Sequence, residues 1–134
     1  MAITWSSALS VNVKEIDEQH KVFVGLLNEA YEVLRNPAIR DTLPELIERL
    51  VKYTKMHFGT EEKYFDTFQY EFADLHKQEH RKLEKQAELF LERVKTEGFA
   101  VEGELLDFLE NWLVSHLANH DKKYTKCFNE HGLY

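Results

Sequence analysis

Residues 43–61 read LPELIERLVKYTKMHFGTE, and this stretch decides the fold. Its apolar positions Leu43, Leu46, Ile47 and Leu50 recur at three- and four-residue steps, the spacing of an amphipathic helix with one buried stripe. The same stripe then continues through Thr54, His57 and Glu61. A face that begins as hydrophobic core therefore ends in an imidazole and a carboxylate. Burying such groups costs free energy unless something satisfies them.

The rest of the chain repeats the pattern. An N-terminal arm, 1–16, precedes a helix expected at about 17–36, with Asp17 as its N-cap and a stripe of Phe23, Leu27, Ala30 and Leu34. Asn36-Pro37 ends it, because proline pushes the preceding residue out of helical geometry. The helix containing the opening stretch is expected at about 41–65, with Pro44 tolerated in its first turn. A third, at about 70–97, carries Phe72, His76, His80, Leu83, Ala87 and Val94, and Gly98 is placed to terminate it. A fourth, at about 103–128, carries Leu106, Leu109, Leu113, His116 and Leu117. Four helices with short connections predict an all-α, up-down-up-down antiparallel four-helix bundle in a single domain, 1–134.

Composition agrees and excludes several function classes. Only 5 glycines and 2 prolines interrupt 134 residues, which favours long helices. A formal net charge of -7 with no basic cluster argues against nucleic acid. No run approaches 18 uninterrupted apolar residues, so no membrane span is expected. The single cysteine, Cys127, cannot form an intrachain disulfide, and the N-terminus lacks a basic patch followed by an apolar run. The expectation is a cytoplasmic protein. No second apolar face is evident, so a monomer is expected.

The 7 histidines matter through their placement. His20 lies one turn before Phe23, His57 and Glu61 stand four apart, His76 and His80 do the same, and His116 follows Leu113. A four-residue step rotates only about 40°, so each pair points one way and stacks about 6 Å apart. One inward histidine is usually a hydrogen-bonded core residue; the same intrusion on all four helices reads as a metal site. Structural zinc favours cysteine and needs four ligands, and calcium and magnesium prefer oxygen. Imidazole suits iron, copper, nickel and zinc. Five imidazoles and two carboxylates exceed the shell of one ion, and two ions share them comfortably.

These residues resemble the hemerythrins, and within them the single-domain bacterial type, bacteriohemerythrin. The resemblance rests on Trp5 in the arm, Ile16-Asp17-Glu18-Gln19-His20, His57-Phe58-Gly59-Thr60-Glu61-Glu62, the pair His76 and His80, and Trp112-Leu113-Val114-Ser115-His116 followed by Asp121. It implies two non-haem irons per chain with an oxo or hydroxo bridge, and dioxygen as the ligand. His76, His80 and His116 would hold one iron; His20 and His57 would hold the other, which keeps an open position. Glu61 and Asp121 would bridge the two. Phe58, Trp112 and Leu113 would line the oxygen pocket. Helical spacing alone favours His120, about 40° from His116, over Asp121 at about 140°. Asp121, however, follows the Leu113–Leu117 line at four-residue steps, and the resemblance decides for it. His120 and His131 are read as surface or supporting residues.

The implied role is reversible oxygen binding for storage, transport or delivery, not enzymatic turnover, and an oxygen-consuming enzyme would be the recipient. Diiron oxidases of the ferritin-like type use Glu-x-x-His pairs, which are absent from the inward positions here. Neutral imidazoles also supply less negative charge than four carboxylates and so give less support to high-valent iron. The rival readings are an oxygen or redox sensor, an iron-storage protein, and an enzyme handling peroxide or nitric oxide. Of the remaining features, Phe58, Phe65, Phe68 and Phe72 are read as core packing and Glu62 as solvated. Trp5 is expected to pack the arm over the bundle.

Overall fold

A computed structural model describes residues 4–97, 104, 107, 108, 111 and 121–134. Three long helices occupy most of it: α1 (Lys14–Arg35), α2 (Leu43–Thr67) and α3 (Ala73–Glu97). A 3-10 segment, Pro37–Thr42, joins the first two. Residues 104, 107, 108 and 111 are helical, and the chain ends in a 3-10 turn, Asp121–Tyr124, followed by α4 (Thr125–Glu130). Within the 103–128 range expected to be helical, the last part is a 3-10 turn leading into a short helix. Gly98 lies outside the described residues.

Cross-helix pairs establish the directions. Between α1 and α2, Gln19 meets Thr60 and Glu29 meets Arg49. Between α2 and α3, Asp66 pairs with Lys77 at 2.6 Å and Lys55 with Glu88 at 2.5 Å. Glu88 therefore bridges helices. Arg93 pairs with Glu104 at 2.6 Å, and Phe90 stacks on Phe108 at 4.2 Å. In each case one residue number rises as the other falls, so neighbours run antiparallel, and the chain is an up-down-up-down four-helix bundle.

The helix ends follow local chemistry. Asn36 leaves helical geometry ahead of Pro37, as expected. At the end of α2, Gln69 adopts a left-handed conformation (φ 52), Tyr70 N–H donates to Phe65 O at 2.9 Å, and the Phe65 and Tyr70 rings meet at 5.1 Å. That is a Schellman closure with its apolar contact, made here without glycine. The end of α4 repeats it with Gly132 (φ 84), whose successor Leu133 donates to Phe128 O at 2.9 Å.

α1 starts at Lys14, three residues earlier than expected, and Val13 rather than Asp17 precedes it. Asp17 lies in the first turn and reaches back to the arm, accepting from Ser10 Oγ at 2.6 Å and Val11 N–H at 2.8 Å. Thr125 Oγ1 donates to Val11 O at 2.7 Å, so the arm is held at both α1 and α4. Val11, Val13 and Ile16 are buried there with Phe65, Tyr70, Tyr124 and Phe128. Asp17→Ala should cost about 1–3 kcal/mol, because it leaves two arm donors without a charged acceptor. A thermal melt of the metal-free protein checks this, and an unchanged midpoint would show that the Asp17 bonds do not hold the arm. Trp5, half-buried, lies under the Lys21 ammonium at 5.6 Å and so packs the arm beside α1.

Cys127 sits half-buried on α4. Burial and the nearby Glu130 carboxylate push its thiol above the ordinary range. The thiolate therefore forms only at higher pH. Alkylation by iodoacetamide between pH 7 and 9 should be slower than that of a free small thiol, and a faster rate would contradict this.

Candidate metal centre

Two apolar clusters make up the core. One gathers Phe23, Leu27, Leu46, Ile47, Leu50, Val51, Phe58, Leu83 and Ala87. The other is the arm cluster around Phe65, Tyr124 and Phe128. A polar layer separates them, because each helix interrupts its stripe at one level. α1 places His20 between Ile16 and Phe23, α2 places Glu61 between Phe58 and Phe65, and α3 brings His76 and His80 ahead of Leu83. His20, His57, Glu61 and His80 are fully buried, and His76 is 7% exposed. Thr54, also on the stripe, is satisfied locally by donating to Leu50 O at 2.7 Å.

Glu61 is the shared member. Its Oε1 stands 3.1 Å from His57 Nε2 and 3.3 Å from His80 Nε2. His20 Nε2 lies 3.0 Å from His57 Nε2. The ligand atoms form two triads, His20–His57–Glu61 and Glu61–His76–His80, each within 4.8 Å of one another. One carboxylate thus belongs to two adjacent groups of donors.

Hydrogen bonds behind the rings decide which nitrogens face inward. Thr60 Oγ1 donates to Met56 O at 3.3 Å and accepts from Gln19 Nε2 at 3.3 Å. The Gln19 amide is thereby turned so that its Oε1 accepts from His57 Nδ1 at 2.5 Å. On α3, His80 Nδ1 donates to Glu62 Oε2 at 2.9 Å, and Arg81 pairs with the same carboxylate oxygen. With Nδ1 protonated in both rings, each Nε2 turns a lone pair toward Glu61. Lone pairs and a carboxylate gathered out of water require positive charge among them, which metal ions supply.

Aromatic rings wall the site. Phe58 stacks on His80 at 3.8 Å, with ring planes 4° apart. Phe65 lies 4.8 Å from His76, Phe23 lies 5.2 Å from His57, and Tyr124 lies 5.7 Å from His76.

Of the residues expected at the site, the structure brings together His20, His57, Glu61, His76, His80 and Phe58. Trp112, Leu113, His116 and His120 lie outside the described residues. Asp121 opens the last 3-10 turn, and its side chain lies outside the described part. Two expectations are corrected. Glu62 is not solvated: its side chain is 18% exposed and engages His80. Phe72 is not core: it precedes α3 in a turn and is 48% exposed, so helical periodicity does not govern it. Gln19, Glu62, Phe23, Phe65 and Tyr124 escaped notice as site residues. The signal for the first two was available, since a ligating histidine almost always donates its second nitrogen to an oxygen.

Residues 11–127 match the Hemerythrin HHE cation binding domain. The chain is 32% identical to a bacteriohemerythrin of Pseudomonas aeruginosa over 128 residues, 91% of this chain and 78% of that protein. It is also 32% identical to a myohemerythrin of Theromyzon tessulatum over 120 residues, 90% of this chain and 88% of that protein. A crystal structure of wild-type hemerythrin superposes with a TM-score of 0.85 at 27% identity, covering 95% of this chain and 98% of that one.

Proposed function

Because the chain belongs to the hemerythrin family, we propose that it binds dioxygen reversibly at a pair of non-haem irons. Glu61 carries this reading: one buried carboxylate oxygen faces an imidazole of each triad, at 3.1 and 3.3 Å. His20 and His57 would hold one iron, and His76, His80 and His116 the other. Glu61 and Asp121 would be shared between them, with an oxo or hydroxo group. The donor set suits the assignment, since imidazole favours iron and a shared carboxylate favours two ions close together. When bound, the iron pair supplies reversible oxygen binding accompanied by oxidation of the metal.

The protein's part is to position the ligands and exclude water. Gln19 and Glu62 orient His57 and His80 through Nδ1. Phe58, Phe65 and Phe23 would keep water and proton donors from the ligand atoms, and Phe58, Trp112 and Leu113 would line the oxygen pocket. The iron held by His20 and His57 would be the one open to oxygen. No helix among the described residues is long and apolar enough to cross a membrane. We assign the protein to the cytoplasm as a monomeric carrier or store rather than an enzyme.

Anaerobic loading with ferrous iron tests the proposal. It should give two irons per chain and a visible absorption that appears with air and disappears on evacuation. One ion per chain, or a one-way change to the ferric form, would overturn it.

A further inference from the structure

One histidine in each triad is backed differently. His57 on the first donates to a neutral amide, Gln19, whose orientation is set by Thr60. His80 on the second donates to a carboxylate, Glu62, which also takes the Arg81 guanidinium. The His80 side chain is fully buried and Glu62 is mostly so, which keeps water from screening the pair. A carboxylate behind an imidazole raises the basicity of the opposite nitrogen and places negative charge one ring away from the metal. An amide fixes the ring without adding charge.

We propose that Glu62 is a positioning residue whose charge, passed through His80, makes the two metal positions unequal, so that the His76–His80 position binds a divalent cation more tightly than its ring geometry alone provides. Gln19 performs the orienting half of that role at His57 and leaves its position weaker. The inference rests on the paired-metal reading above.

Zinc is the probe, because it is redox-inert and reports ligand strength without oxygen chemistry. Chelator competition on the full chain yields two dissociation constants. Removal of a supporting partner typically weakens metal binding 10–100-fold. Glu62→Gln keeps an oxygen to accept from His80 Nδ1 and loses the charge together with the Arg81 ion pair, while Arg81 keeps Glu84 at 3.4 Å, so it should weaken one constant by about tenfold or more and leave the other unchanged. Glu62→Ala should weaken the same constant further, while Gln19→Glu should tighten the other. Histidine ring nitrogen NMR identifies the affected position, which should be that of His76 and His80. If Glu62→Gln binds both zinc ions as the parent does, the charge is irrelevant and the inference fails. A parent that binds one zinc ion, by contrast, would sink the paired-metal reading itself.

Discussion

Glu61→Leu is expected to abolish paired-metal binding while changing the stability of the metal-free protein by no more than about 1–2 kcal/mol. The carboxylate is fully buried and faces two imidazoles, so its desolvation is offset only when positive charge sits among the three groups. Leucine has similar volume and no desolvation cost, though it leaves two imidazole nitrogens facing an apolar group. In the loaded protein the balance reverses. An ion present at a thousand times its dissociation constant stabilises the fold by about 4 kcal/mol, and the variant forfeits that for whatever it no longer binds. Metal analysis and paired melts, with and without metal, read both effects. Two ions retained by the leucine variant would remove Glu61 from the site.

Phe65→Ala should be the most damaging single truncation outside the ligands. Its ring is fully buried and meets Tyr70, His76, Tyr124 and Phe128 at centroid distances of 4.8 to 5.8 Å. It also lies within the closure that ends α2, where its carbonyl accepts from Tyr70. Emptying such a position costs about 3–5 kcal/mol, because the surroundings collapse only partly. For a domain of this size that lowers the melting midpoint by very roughly 10–25 °C. His76 and His80 would lose a wall, so metal should also dissociate faster into chelator. Phe65→Leu should recover most of both losses. A fall below about 1 kcal/mol for the alanine variant would show that the other rings of the arm cluster, Tyr124 and Phe128, close the site without it.

Part of this was legible in one dimension. Leu43, Leu46, Ile47 and Leu50 declare a buried stripe by spacing alone, and His57 and Glu61 stand on it at the same spacing. Residues four apart on one helix share a face whatever surrounds them, so the inward direction of the ligands needed no neighbouring helix. Asp17 shows the limit. It has the chemistry of an N-cap, but its carboxylate is taken by Ser10 and Val11, so the helix starts a turn earlier. Phe72 shows another: it keeps the helical spacing in the sequence but stands in a turn, where that spacing sets no face.

Glu62 marks the boundary most clearly. On its own helix it sits about 100° from Glu61 and looks solvent-facing. Only the approach of α3 makes its carboxylate the partner of His80, and Gln19 on α1 gains its role from α2 in the same manner. The sequence by itself determined the helices, their buried faces and the polar residues those faces carry, because these follow from backbone geometry within a single segment. The tertiary structure alone decided which side chains stand behind the ligands and that one carboxylate serves two triads. Those contacts form between helices, where position depends on packing and not on spacing along the chain.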